Sequence, residues 1–187
     1  MTTLDEDGVV NISPMGPVVD QEMQRLVFRP FQTSATFVNL RRSGEGVFHV
    51  TDNVEMLARA AVGKLDPPPP LVPAAAVAGR IIQDACRWYA VKVISVDDSQ
   101  QRAQMVTQVV DQGRQRDFFG WNRAKHAVVE AAILATRVHL LPAEEIQDDF
   151  RRLSVLVDKT GGAAEHRAFQ LLDDHVRAAF PTEDVIR

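Results

Sequence analysis

The feature that most constrains the fold of this chain is a change of pattern at Asn122. Before that residue, short apolar segments alternate with polar turns, which is typical of β-strands. After it, Ala, Val, Ile and Leu recur at the spacing of amphipathic helices. Strands first and helices last predict an α+β fold, with a strand-rich domain at 1–118 and a helical extension at 119–187.

The strand-rich part opens with a predicted hairpin. Its polar turn ends in Asp7-Gly8, and this pair supplies the positive φ angles that tight hairpins require. Only Thr2 to Leu4 precede the turn, so we expect a shortened first strand whose pairing begins almost at Met1. Further strands are predicted at 9–13, 26–28, 46–50, 85–96 and 103–111, the last two as one long antiparallel hairpin.

Helical spacing and capping residues predict the helices. Two of them, at 33–42 and 54–62, lie within the strand-rich part. Three more follow in the extension. The first is predicted at 123–140, the second from Pro142 to the glycine pair 161–162, and the third at 163–180. The run Pro67 to Pro70 cannot form a helix or a central strand, which predicts an extended surface connector. It is either a spacer inside one domain or a domain boundary.

Charge and cysteine content exclude several classes of function. The net charge of −4 argues against nucleic acid as the main partner, because phosphate backbones need a basic surface. The single Cys86 excludes an intramolecular disulfide and an all-Cys metal site, and we expect it to be a small buried hydrophobe. No apolar stretch approaches the ~18 residues of a membrane span, and the acidic start differs from a signal peptide. We therefore expect a cytoplasmic protein without a membrane or nucleic-acid partner.

The first candidate binding segment runs from Asn11 to Gly16. It ends a predicted strand in a loop of small, polar or rigid residues, namely Ser13, Pro14, Met15 and Gly16. Such a loop exposes backbone N–H groups, and Pro14 and Gly16 keep bulky side chains out of the way. The alternative interpretation is a strand-end turn that only shapes a bend.

The second candidate segment begins at Arg29, where Pro30 closes a predicted strand, and continues into a helix start rich in hydroxyls. Arg binds phosphate bidentately, and the amides at a helix start favour an anion. Together with the first segment, this suits a phosphate-bearing ligand with a flat, half-apolar body. The alternatives are a surface cation at Arg29 and an ordinary helix cap at Thr36. The candidate side chains of this segment are Arg29, Gln32, Thr33, Ser34, Thr36 and Asn39.

A third candidate segment, Trp121 to His126, opens the first helix of the extension. Asn122 is a good N-cap, whereas Arg123 and Lys125 are unfavourable near the positive end of a helix. Something anionic is therefore expected nearby. One interpretation is a solvated helix end in which His126 meets Glu130. The other is a second wall of a ligand pocket, formed by Trp121 and Arg123.

The order of these segments resembles a known superfamily. The residues that carry the resemblance are Asn11-Ile12-Ser13-Pro14-Met15-Gly16, Arg29-Pro30, Thr36, Asn39-Leu40, Gly44-Glu45 and Val47-Phe48-His49-Val50. They are similar to the FMN-binding split β-barrel superfamily of flavoredoxins and flavin reductases. The later run from Arg123 to Arg137 resembles a narrower group within it, the DUF447 family. The shortened first strand is a departure from the pattern.

The resemblance implies a Greek-key barrel of about six strands that binds FMN, commonly as a homodimer with the flavin near the subunit interface. It further implies that the segment from Asn11 to Gly16 lies along the isoalloxazine ring, with Met15 against its face. The phosphate would then be bound by residues of the second segment. Trp121 and Arg123 would contribute to the wall of the flavin or substrate pocket.

Three functional hypotheses follow. The first is an FMN-dependent oxidoreductase, such as a flavin reductase that uses NAD(P)H. The second is a non-catalytic FMN-binding module. The third is a structural or regulatory protein whose helical extension binds another macromolecule through the stripe Val128, Ala131, Ala132 and Ala135. No triad, Walker loop or dinucleotide-binding glycine motif occurs, and His49, His139, His166 and His175 lack metal-ligand spacing.

Overall fold

The structure is a computed structural model, and it describes residues 1–180. The strands are β1 (Thr2–Leu4), β2 (Val10–Ile12), β3 (Val18–Val19), β4 (Arg25–Phe28), β5 (Glu45–Val50), β6 (Leu71–Pro73), β7 (Arg80–Ile82), β8 (Arg87–Asp97) and β9 (Gln104–Arg114). The helices are α1 (Ala35–Ser43), α2 (Val54–Ala61), α3 (Arg123–Ala135), α4 (Ala143–Thr160) and α5 (Ala163–Ala179). None of the helices within residues 1–180 is long and apolar enough to cross a membrane.

The chain forms two compact units. The first combines Met1–Asp52 with Pro68–Phe118, and the second combines Asn53–Pro67 with the chain from Phe119 onward. In consequence, α2 groups with α3, α4 and α5, although it lies between strands of the first unit in the sequence.

The first unit is built on one antiparallel sheet of seven strands, in the order β2-β1-β5-β8-β9-β4-β3. The predicted hairpin of two long strands is confirmed as β8 and β9, which pair along their whole length with two β-bulges. The seventh strand, β3, is a two-residue edge strand that the sequence did not predict. A second, two-stranded sheet of β6 and β7 was also not predicted, because its strands are only three residues long.

The predicted first hairpin is confirmed. Thr2 pairs with Ile12, so pairing begins at the second residue. In the turn, Oδ1 of Asp5 accepts hydrogen bonds from the backbone N–H of Asp7 (3.1 Å) and of Val9 (2.8 Å). Gly8 has a φ of +78°, which is the left-handed conformation expected of glycine in a tight turn.

The core of the first unit lies between the sheet and α1. Leu26, Phe28, Leu40 and Met105 are fully buried, and the rings of Phe28 and Phe48 lie 5.8 Å apart. Helix α1 begins at Ala35 because Ser34 is its N-cap, with Oγ accepting from the N–H of Phe37. It ends where Gly44 adopts a φ of +69°. The core thereby holds the start of α1 beside the strand-end loops.

The second unit has a core of its own. Its buried side chains come from four helices and include Val54, Ala58, Ala127, Val128, Ala131, Ile146, Phe150, Val157, Leu172 and Val176. The prediction that the first helix of the extension reaches residue 140 is wrong, because α3 ends at Ala135. At Thr136 the side-chain hydroxyl donates to the carbonyl of Ile133 at 2.7 Å, a local bond that competes with continued helix, and a series of turns follows.

Candidate functional site

A buried network of uncharged polar side chains joins three elements of the first unit. Nδ2 of Asn11, on β2, donates to Oγ1 of Thr3 at 3.2 Å and to Oγ1 of Thr36 at 3.1 Å. Nδ2 of Asn39, on α1, donates to the same Thr3 hydroxyl at 3.0 Å. Thr3, Thr36 and Asn39 are buried, so these bonds are shielded from water and hold β1, β2 and the start of α1 together.

The loop after β2 continues from this network. Oγ of Ser13 donates to Oδ1 of Asn11 at 3.3 Å, and the backbone N–H of Ser13 donates to the carbonyl of Met1. The Met15 side chain is partly buried and packs against the core of the first unit. Pro14 and Gly16 are exposed, and a Cβ added at Gly16 would meet no atom within 4 Å. The loop therefore has an anchored beginning and an open outer side.

The start of α1 carries a set of uncommitted donors. Within residues 1–180, the backbone N–H groups of Ala35 and Thr36 have no acceptor, as expected in the first turn of a helix. The side chains of Arg29 and Thr33 are exposed and have no hydrogen-bond or ion-pair partner in that part of the chain. Ser34 differs, since its hydroxyl already caps the helix and also donates to the carbonyl of Phe31.

Gln32 has a structural task. Its Nε2 donates to the carbonyl of Asp98 and to the carbonyl of Gln100, both at 2.8 Å. These bonds connect the approach to α1 with the turn between β8 and β9. The amide nitrogen of Gln32 is thus occupied by the turn, and only its oxygen remains for a further partner.

Sequence reasoning missed Arg102, which follows that turn. Its guanidinium lies 3.9 Å from the ring centroid of Phe31, and Nη1 donates to the carbonyl of Arg29 at 3.3 Å. An isolated β-bridge between Phe31 and Arg102 brings them together. The Arg102 side chain therefore lies at the backbone of Arg29 and over Phe31, in the segment that leads into α1. Nothing in the sequence near position 102 indicates this, because the pairing joins segments far apart in the chain.

The perturbed histidine of the first unit lies outside the network. His49, on β5, is buried, and its Nε2 accepts the backbone N–H of Ile82 at 3.1 Å. Burial, as the main cause, lowers the pKa of His49 to about 3, so the ring is neutral at physiological pH. The network itself contains no ionisable side chain. Residues 1–180 also hold no cluster of three His, Cys, Asp or Glu side chains suited to a metal ion.

Trp121 and Arg123 lie in the second unit, and both side chains are exposed. Trp121 stacks on the His126 ring with 5.1 Å between centroids. The expected N-cap is confirmed, because Oδ1 of Asn122 accepts the N–H of Lys125 at 2.9 Å. The expected anion near Lys125 is the carboxylate of Glu165, 2.8 Å from Nζ.

The contact expected between His126 and Glu130 is not formed. Nδ1 of His126 lies 2.5 Å from the carbonyl oxygen of Asn122, one turn earlier, and the ring is turned toward Trp121. Only this contact is absent, since Trp121, Arg123 and His126 are exposed, as expected of a solvated helix end.

Comparisons with known proteins identify the family. The model of the N-terminal domain of a protein of unknown function, DUF447, matches residues 1–116, and a second DUF447 model matches residues 122–174. The chain belongs to the DUF447 family. The resemblance drawn from the residue order is thus confirmed. No curated protein matches the chain in sequence.

Solved structures identify the fold of this DUF447 chain. An FMN-bound DUF447 protein from Methanosarcina mazei is similar to it with a TM-score of 0.80 at 23% identity, over 93% of this chain and 91% of that one. The 2-nitrobenzoate 2-nitroreductase of Pseudomonas fluorescens is 16% identical with a TM-score of 0.51, over 60% of this chain and 61% of that one. A flavin reductase domain protein from Arthrobacter sp. FB24 is 18% identical with a TM-score of 0.50, over 63% of this chain and 76% of that one. The predicted α+β split-barrel fold with a helical extension is confirmed.

Proposed function

We propose that this DUF447 chain is a flavoprotein that binds FMN noncovalently in its first unit and uses it as an oxidoreductase of flavin-reductase type. One observation carries the proposal. The network centred on Asn11 ties the loop 11–16, expected along the flavin ring, to the start of α1, expected at the phosphate. Residues distant in the sequence are thereby held in one place without any charged group among them. The FMN-bound Methanosarcina mazei protein of the same family supports the choice of cofactor.

The donor set at the start of α1 fits a phosphate monoester. Such a group carries close to two negative charges at neutral pH and accepts several hydrogen bonds. Arg29 and Thr33 offer uncommitted side-chain donors, and the amides of Ala35 and Thr36 offer backbone donors at the positive end of a helix. The Thr36 hydroxyl oxygen accepts from Asn11, which leaves its O–H available as a donor beside the backbone N–H of the same residue.

Three neighbouring side chains complete the proposed phosphate end. Ser34 caps α1 and so fixes the direction of the free amides. Gln32 attaches the helix start to the β8–β9 turn. Arg102 adds a second positive charge beside Arg29, which increases the attraction for a dianion. Asn39 contributes through Thr3 and the network rather than as a direct ligand.

The loop from Ser13 to Gly16 is proposed to accommodate the ring. Its outer side is open at Gly16, and neither Pro14 nor Gly16 has a long side chain that would exclude a flat ligand. Met15 offers a polarizable side chain that packs well against aromatic rings. Backbone N–H and carbonyl groups of this loop would hydrogen-bond the polar edge of the ring.

FMN, when bound, supplies the capacity to accept and donate a hydride. The protein's part is to bind and orient it. Hydride transfer needs no acid or base from the protein, so the proposal assigns no catalytic side chain. NAD(P)H is the proposed donor. The alternative is a non-catalytic FMN-binding module. It would bind FMN but would not oxidise NAD(P)H.

The first experiment measures retention of FMN. Purified protein is mixed with FMN, passed through ultrafiltration, and examined for the bands near ~375 and ~450 nm of a bound oxidised flavin. We expect retention by the parent protein, weaker retention by Arg29→Ala, and no change in Arg87→Ala, an exposed arginine without an ion pair in residues 1–180. A parent protein that retains no FMN at low salt would refute the proposal. NAD(P)H oxidation by the loaded protein then separates the oxidoreductase from the non-catalytic module.

We further propose that the protein is a homodimer formed through the sheet of the first unit. Val18, Val27 and Val106 are consecutive cross-strand partners on β3, β4 and β9, so they form one aliphatic row on the same face. Ile94, at the second bulge of β8, immediately precedes Ser95, which pairs with Val106 of this row. Val18 is 57% exposed and Ile94 is 51% exposed, and such a contiguous row typically marks an interface. A second copy of this chain is the proposed occupant, since a two-fold contact pairs the same aliphatic row with itself.

A further inference from the structure

The second unit contains an open groove at the start of α3. It has a volume of about 310 Å³ and is lined by Trp121, Asn122, Arg123, His126 and Leu156. All five residues belong to the second unit. The groove lies between the start of α3 and the last turns of α4, and its surface is mainly apolar.

The aromatic wall of the groove is unusually accessible. Trp121 is 91% exposed, although tryptophan is highly buried on average. The His126 ring supports one face of the indole, with an interplanar angle of 25°, and His126 is itself held by its contact with the carbonyl of Asn122. A supported indole with an open face is a stacking surface for a flat ring.

The positive charge of Arg123 makes the groove suited to an anionic ligand. The neighbouring cation, Lys125, is paired with Glu165 at 2.8 Å. Arg123, in contrast, is exposed and forms no ion pair within the described part of the chain. A guanidinium binds phosphate in a bidentate manner, so a ligand that joins a flat ring to a phosphate matches both walls.

We propose that this groove binds a nucleotide, with the base stacked on Trp121 and the phosphate paired with Arg123. The residues that line this groove belong to the second unit, whereas FMN is proposed to bind to residues of the first. Only the identity of its natural ligand, a pyridine nucleotide, rests on the proposed function. The affinity of the groove for nucleotides does not rest on the proposed function, because AMP also joins a base to a phosphate and can be tested directly.

The test uses isothermal titration of AMP into the full-length protein, once without FMN and once after FMN loading. We expect AMP to bind under both conditions. Trp121→Ala and Arg123→Gln should each weaken AMP binding at least tenfold, and Trp121→Phe should restore most of it. The matched control is Arg137→Gln, which removes an exposed arginine after the other end of α3 and should change nothing.

Two outcomes would overturn the inference. The first is no heat of AMP binding at millimolar concentration in either state. The second is loss of AMP binding after FMN loading, together with loss of FMN retention in Trp121→Ala, which would assign the groove to the flavin instead. FMN retention of the parent protein is measured separately, so a failure of the proposed flavin site is distinguished from a failure of this one.

Discussion

Asn11 connects more of the candidate site than any other side chain of the network. Its Nδ2 is shared between hydroxyls on β1 and α1, and its Oδ1 accepts from Ser13. A carboxamide satisfies this arrangement because it offers two donors and an acceptor on one planar group. A carboxylate would lack the donors, and a hydroxyl would lack the reach.

Replacement of Asn11 should therefore affect both stability and the cofactor. In Asn11→Ala the hydroxyls of Thr3 and Thr36 lose a buried partner, so the free energy of unfolding should fall by ~1–3 kcal/mol. FMN retention should fall as well, because the loop and the helix start are no longer fixed to each other. Urea unfolding and ultrafiltration measure the two effects. Gln104→Ala, an exposed amide on β9, is the control, and unchanged retention in Asn11→Ala would contradict the proposed site.

His49 makes the stability of the first unit depend on pH. Its folded-state pKa of about 3 lies below the ordinary value of 6.5, so the unfolded chain binds this proton at a higher pH than the folded protein does. The stabilisation is therefore complete above pH 6.5 and is lost as the pH falls toward 3. The slope is at most ~1.4 kcal/mol per pH unit.

The variant His49→Gln tests this dependence. Glutamine keeps an acceptor for the N–H of Ile82 and removes the titrating ring. Between pH 6.5 and 4, the free energy of unfolding should decline less steeply in the variant than in the parent protein. His139→Gln, an exposed histidine, is the control and should keep the parent slope. Equal slopes in His49→Gln and the parent would show that His49 is not the titrating group.

At the scale of elements, the sequence predicted those with a strong local signal. Helix α1 has a hydroxyl cap and a terminal glycine, and the β8–β9 hairpin has long apolar alternation, so both were found. Strands β3, β6 and β7 contain two or three residues each, which is too short for any periodicity. Their existence depends on partners elsewhere in the chain.

The candidate site shows the same division. Asn11 and Thr36 were predicted as candidates from their positions at a strand end and a helix start, and Asn39 from the resemblance of Asn39-Leu40 to the split-barrel pattern. The structure joins all three. Thr3, which binds two of them, was not predicted, because a threonine in a three-residue strand has no distinguishing pattern. Arg102 was missed for a similar reason, since only a long-range bridge brings it to Phe31.

Helix α2 is attached to α5 by a bidentate ion pair. Nη2 and Nε of Arg167 lie 2.7 Å and 3.2 Å from the two carboxylate oxygens of Glu55, and Arg59 adds a third contact. The hydrogen bond from Arg167 is the main reason that the pKa of Glu55 lies below its usual value. The carboxylate therefore stabilises the folded second unit at neutral pH.

In Glu55→Gln, the free energy of unfolding at pH 7 should fall by ~1 kcal/mol, because a partly exposed pair contributes at the upper end of the surface range. The difference from the parent protein should shrink as the pH falls below about 4.5, where the carboxylate becomes protonated in the unfolded chain, and should vanish below the lowered folded-state pKa of Glu55. Glu130→Gln, an exposed glutamate on α3, is the control. A difference that does not shrink at all as the pH falls below 4.5 would mean that the charge of Glu55 is not the cause.

At the scale of the whole molecule, the aliphatic row on the first sheet gives a prediction about assembly. A lysine at Ile94 would place a charge in the proposed two-fold contact, so Ile94→Lys should be monomeric at concentrations where the parent protein is dimeric. Light scattering after size exclusion measures the mass. Val155→Lys, on α4 and 47% exposed, is the matched control and should remain dimeric. A monomeric parent protein would refute the proposed interface.

The membership of α2 in the second unit has a consequence for how this protein is made. Within residues 1–180, its apolar side chains pack against α3 and α5, which leave the ribosome after the whole of β6 to β9. The nascent chain must therefore carry an amphipathic helix whose apolar face stays uncovered until α3 and α5 have been made. No single division of the sequence separates the two units, because α2 lies between strands of the first unit. To express the second unit alone, α2 would have to be joined to the segment from Phe119 onward.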